Sequence, residues 1–109
     1  MLGAVREIDA VGLAAAHRDG AVVIDVREPH EYLEGHVPCA RLVPLGSVPR
    51  QARDIPADRP VYLICRTGVR SATAAQMLGQ MGLDAISVAG GTQAWTAAGL
   101  PVVTGAHAC

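Results

Sequence analysis

Tyr62–Gln76 reads YLICRTGVRSATAAQ. An apolar run ends on a cysteine, two arginines flank a glycine, and an alanine-rich pattern follows. Further on, Ala74, Met77, Leu78 and Met81 fall at i, i+3, i+4 and i+7, the stripe of an amphipathic helix that Gly82 ends. The stretch therefore reads as a strand passing through a tight loop into a helix. In open α/β sheets such a loop lies beyond the carboxyl ends of the strands, where ligands bind.

Working outward, strand-like and helix-like runs alternate. Val61–Ile64 is a buried strand leading into Cys65, and Ala21–Val26 (AVVIDV) is a second apolar run of the kind covered on both faces. Ala4–Ile8 reads as a short first strand, and Asp9 as the cap of a helix over Ala10–Arg18 that Gly20 stops. Pro29 opens and Gly35 closes a short helical turn. Ala40–Leu45 is expected as a third strand, with a modest helix from Ser47 to Ile55. DAISVAGG from Asp84 gives the last strand, and TQAWTAAG from Thr92 the last helix. Repeated alternation with short connections predicts one α/β domain over residues 1–109, a parallel sheet with helices on both faces.

The composition agrees. Half of the 109 residues are apolar, but only 3% are aromatic and none is Phe, so Val, Leu, Ile and Ala must build the core. A net charge of −1 removes the electrostatic case for nucleic acid or an anionic membrane. No apolar run approaches the roughly 20 residues that span a bilayer. MLGAVREIDA at the start carries charges and no long apolar stretch, so no signal peptide is expected. Cys39, Cys65 and Cys109 are odd in number and irregular in spacing, which argues against a disulfide framework or a zinc site. The expectation is three free thiols in a reducing, cytoplasmic setting, with one thiol available for chemistry.

Cys65 is that thiol. Backbone amides from Arg66, Thr67, Gly68, Val69, Arg70 and Ser71 precede or open the helix, and unpaired amides there can converge on a sulfur. Gly68 permits the backbone to curl as an anion nest. The helix dipole and the charges of Arg66 and Arg70 also favour a thiolate, lowering the pKa from about 8.5 toward the 3.5–7.5 range. An arginine in a first helical turn opposes the dipole, so Arg70 destabilises the helix unless an anion lies nearby. The plain alternative is a half-buried cysteine on a tight turn with solvated arginines.

CRTGVRS (Cys65–Ser71) resembles the active-site loop of the rhodanese-like sulfurtransferases. VVIDVREPHEYLEGHVPCA (Val22–Ala40) is similar to the family's D-x-R…E-[YF]-x-x-G-H-[IV]-P-G-A segment, and VAGGTQAWTAAGLPV (Val88–Val102) to its closing G-G-x-x-x-W-x-x-x-G-x-P-V. The matches run in family order over Val22–Val103. The resemblance implies a three-layer α/β/α fold around a mostly parallel five-stranded sheet. It implies that Cys65 takes a sulfane sulfur from a small anionic donor such as thiosulfate, forms a persulfide, and yields the sulfur to a thiol, cyanide or protein acceptor. No metal or organic cofactor is required.

It also implies supporting roles. Asp25 hydrogen-bonds the loop or pairs with Arg27, against a bland reading as a cap or turn former, and His36 packs a hinge and bonds backbone. His17, His30 and His107 read as surface residues, and Trp95 as core. Two departures stand out: Cys39 replaces the glycine of G-H-[IV]-P-G-A, expected as buried packing, and Glu31 is acidic where longer tandem-domain rhodaneses place an arginine that helps bind thiosulfate. The latter puts thiosulfate in question as donor. A phosphatase of the same fold carries C-x5-R, whereas here Ser71 holds the sixth position after Cys65, and the shorter loop fits a sulfur better than a phosphoryl group. A non-turnover sulfur-relay or regulatory binding module is the alternative from a different class.

Overall fold

Asp9 accepts a hydrogen bond from the Gly12 amide at 2.8 Å, capping the first helix as its position predicts. The structure, a computed structural model, describes residues 5–109. Elements run β1 (Arg6–Ile8), α1 (Ala10–Arg18), β2 (Val22–Asp25), α2 (Pro29–Glu34), β3 (Arg41–Leu42), α3 (Val48–Gln51), β4 (Val61–Ile64), α4 (Val69–Gln80), β5 (Ala85–Val88) and α5 (Gly91–Ala97). Ala4, the start of the expected first strand, lies outside the described residues.

The sheet order is β1-β5-β4-β2-β3, and every pairing is parallel, so "mostly parallel" becomes wholly parallel. Period-2 alternation assigns side chains to the two faces. Val61 and Leu63 pack with Val48, Ala52, Ala74, Ala75 and Leu78 from α3 and α4. Ile64, with Tyr62 beside it, packs with Leu13, Ala14 and Trp95 from α1 and α5. Ile24, Leu63 and Ile64 are fully buried, each contributing at most about 1.5–3 kcal/mol of apolar burial. The register Asp25↔Ile64 brings the end of β2 beside the end of β4, one residue short of Cys65.

Three expectations need correction. The third strand is only Arg41–Leu42 rather than Ala40–Leu45, because beyond Leu42 the amides of Val43 and Leu45 meet adjacent rather than alternate carbonyls of the neighbouring segment, which breaks the ladder. Val43 and Leu45 still donate to the carbonyls of Asp25 and Val26, so the chain follows β2 without strand geometry. Met81 is 52% exposed: α4 ends at Gln80, and the helical period stops before reaching it. The inward face of α4 is Ser71, Ala74, Ala75 and Leu78.

The third correction concerns the thiols. Cys39 and Cys109 form a disulfide across 70 residues, so Cys39 is neither buried packing nor a free thiol. Cys65 is the free cysteine. Spacing gave no hint, because the pair meets only where the returning tail docks. There His36 and Val103 exchange two backbone hydrogen bonds of 2.9 Å in an antiparallel bridge.

Candidate active site

Cys65 follows β4 directly and is 1% exposed, at the point where the chain leaves the sheet for α4. Gly68, at φ +112° in the left-handed region, turns the chain and caps α4. That turn aims two amides at the sulfur: Gly68 N–H at 3.1 Å and Ser71 N–H at 3.3 Å. The Ser71 hydroxyl lies 3.5 Å from Cys65 Sγ, and the Ser87 hydroxyl lies 2.8 Å from that of Ser71. Both serines are fully buried. With a thiol, Cys65 donates to Ser71, whose own proton goes to the Gly68 carbonyl at 3.2 Å; with a thiolate, that one proton turns to the sulfur while Ser87 donates to Ser71.

Burial opposes ionisation of Cys65, but hydrogen bonds from the Ser71 hydroxyl and from the Ser71, Gly68 and Thr67 amides outweigh it. The thiol lies below its ordinary value. Hydrogen bonds rather than arginine charge lead in this: contrary to expectation, Arg66 and Arg70 do not converge on the sulfur, and the charge of Arg70 adds a smaller contribution. Arg66 is exposed. Arg70 is held by Glu31 through two bonds, Nη1 to Oε1 at 2.6 Å and Nη2 to Oε2 at 2.9 Å. The bond from Arg70 takes the Glu31 carboxyl down to about 2, and Glu31 in turn raises the Arg70 pKa, with the Cys65 charge a smaller contribution. The anion that Arg70 needs at the helix start is thus supplied by the protein. The acidic residue that looked like a departure is its partner.

Two further elements brace the loop. At the start of α5 the Thr92 and Gln93 amides donate to the carbonyls of Cys65 and Arg66 at 2.8 and 3.0 Å, and the Thr92 hydroxyl donates to Cys65 at 3.0 Å. A side chain on Gly91, at φ +57°, would strike those same carbonyls, which gives the second glycine of the GG pair a physical reason. Asp25, fully buried, pairs with Arg27: its carboxylate accepts from the Arg27 amide, Nε and Nη2. Arg27 Nη2 also donates to the Gly35 carbonyl at 2.7 Å, tying the end of β2 to the end of α2. Of the two roles considered for Asp25, the structure has the arginine pair.

His36 is fully buried; its ring nitrogens face the carbonyls of Tyr32 and His107, both at 2.8 Å, and its ring stacks on Tyr32. His17 is not a plain surface residue, since Nε2 contacts the Pro38 carbonyl at 2.7 Å and the ring meets Trp95 edge-on. Among the described residues, no cluster of three or more His, Cys, Asp or Glu is placed to hold a metal. Beside the loop a cavity of about 490 Å³ opens between α2 and α5, lined by Arg27, Glu31, Glu34, Arg66, Thr92 and Gln93 among others. Reasoning from sequence missed Ser87, Thr92 and the Glu31–Arg70 pair. Ser87 is a lone polar residue in an apolar strand, and that was the available signal.

Comparison with known proteins bears on this arrangement. The model of the rhodanese-like domain family matches residues 10–98. The chain is 36% identical over 102 residues to a sulfurtransferase of Allochromatium vinosum, covering 91% of this chain and 95% of the relative. It is 37% identical over 81 residues to a thiosulfate sulfurtransferase of Pseudomonas putida, covering 73% and 74%. The crystal structure of a rhodanese-related protein from Thermoplasma volcanium superposes with a TM-score of 0.85 at 35% identity, covering 90% of this chain and 97% of that one.

Proposed function

The chain belongs to the rhodanese-like domain family, and on that premise we propose that it is a sulfurtransferase working through a persulfide on Cys65. The thiolate attacks the outer sulfur of a donor such as thiosulfate, the S–S bond of the donor breaks, and sulfite leaves with the electron pair. A thiophilic acceptor then attacks the outer sulfur of the persulfide and regenerates the thiolate. The observation that carries this reading is the set of donors around Sγ: two amides within 3.3 Å and a relayed hydroxyl. Such donors stabilise an anionic sulfur before and after transfer without a proton being moved. The names of the relatives support sulfur transfer and, for one of them, thiosulfate as donor.

The cavity beside the loop offers the donor and acceptor an approach, with Arg66 the exposed cation at its edge for an anionic donor. We keep a cytoplasmic location as part of this proposal, with the Cys39–Cys109 bond the one feature that favours an oxidising setting. The test is thiocyanate formation from thiosulfate and cyanide. The wild-type protein should turn over, and Cys65→Ser should be silent. A protein that forms no thiocyanate yet still holds a labelled sulfur would instead be the non-turnover relay module.

A further inference from the structure

We propose that the Cys39–Cys109 disulfide is a second thiol-reactive site, a latch that low-molecular-weight thiols open. The proposal stands apart from Cys65 chemistry and does not rest on sulfur transfer. Both cysteines are exposed, so a thiolate can reach the bond from solvent. Cys39 sits at φ +68°, the only described residue other than glycine with a positive φ. The matching family segment has glycine at this position, and glycine would adopt that conformation freely. A cysteine held there is placed for its partner, not for the turn.

What the bond fastens is the tail. The Cys39 amide donates to the Ala108 carbonyl at 2.6 Å, Gly105 donates to the Leu33 carbonyl of α2 at 2.8 Å, and the His36 ring contacts the His107 carbonyl. Ala106 and Ala108 form one wall of an apolar cleft of about 370 Å³ whose other side includes Pro29, Tyr32, Leu33 and Leu42. Residues 104–109 include no buried side chain. Few buried side chains and a handful of hydrogen bonds mark a segment of low local stability, so a covalent tie decides whether it stays docked. The segment it secures runs along α2, the helix that carries Glu31.

The reaction balances with the thiol as reductant. A thiolate RS⁻ attacks one sulfur of the pair, the Sγ–Sγ bond breaks, and the other cysteine leaves as thiolate. A second RS⁻ attacks the mixed disulfide, releasing the second cysteine and RSSR. Two thiols are oxidised and one protein disulfide is reduced, the two protein thiolates taking up the protons the RSH groups lost. A low-molecular-weight disulfide runs the sequence backward.

The sequence makes the test clean, because arginines at 27, 41, 66 and 70 place the three cysteines on separate tryptic peptides. Air-equilibrated wild-type protein should be labelled by N-ethylmaleimide after denaturation at Cys65 alone. After millimolar glutathione it should be labelled at Cys39 and Cys109 to equal extents, and the amides of Cys39 and Gly105 should exchange at least about tenfold faster. Cys109→Ser, read by amide exchange without any thiol, should match the reduced protein. Labelling of Cys39 and Cys109 before any thiol is added overturns the proposal, as does a bond that survives millimolar glutathione. Tail amides in Cys109→Ser that exchange as slowly as in the oxidised protein would overturn it too.

Discussion

Ser71→Ala should raise the pKa of Cys65 while leaving the loop in place. The substitution removes the hydroxyl 3.5 Å from Sγ, the leading contribution holding the thiol down, and keeps the amide donors of Ser71 and Gly68 at 3.3 and 3.1 Å. A hydrogen bond to a charged acceptor is worth about 1.5–3 kcal/mol, and about 1.4 kcal/mol corresponds to one pH unit. The surviving amides compensate in part, so the expected rise is about one unit. Ser87 loses its partner as well, and a stranded buried hydroxyl destabilises the fold by about 1–3 kcal/mol. The assay is the rate of iodoacetamide alkylation of Cys65 as a function of pH, in which the disulfide-bonded Cys39 and Cys109 are silent. Ser87→Ala should move the midpoint the same way by less, because it acts through Ser71. An alkylation midpoint in Ser71→Ala that stays within about 0.3 units of wild type, or falls, would refute the relay.

The Glu31 carboxyl is depressed to about 2 from 4.5, so its contribution to stability is full above about pH 4.5 and is lost as pH falls toward 2. Glu31→Gln should therefore flatten urea-denaturation stability across that window and lower it at pH 7 by about 1 kcal/mol, the pair being partly exposed. Gly91→Ala should cut sulfur transfer at least about tenfold and destabilise by about 2 kcal/mol or more, since its methyl group meets the carbonyls of Cys65 and Arg66 in a left-handed conformation. Opening the disulfide, by thiol or by Cys109→Ser, should lower stability by about 2–4 kcal/mol in urea, the range usual for a protein disulfide.

The alternation of apolar runs and helical stripes was legible because it follows periods of 2 and 3.6 that burial enforces locally. β4 falls on Val61–Ile64 as read, and so does the strand-to-helix turn at Cys65. What escaped were contacts between distant segments. Glu31 reaches Arg70 across 39 positions, Ser71 reaches Ser87 across 16, and Cys39 meets Cys109 across 70. None of these leaves a periodic trace. Reading Arg70 from its own helix alone assigned it to a bound anion, whereas the topology had already placed a carboxylate beside it. Met81 failed for the opposite reason: a local pattern was carried one residue past the point where the helix ends.

The central claim is that Cys65 carries the transferred sulfur. Its most direct measurement is residue-resolved mass spectrometry of the wild-type protein after incubation with thiosulfate, quenched by alkylation and cut at the arginines that separate the cysteines. The account predicts one added sulfur atom on the peptide bearing Cys65, removed by cyanide and absent in Cys65→Ala. A sulfur adduct mapped to Cys39 or Cys109, or an unmodified Cys65 under the same conditions, would contradict it.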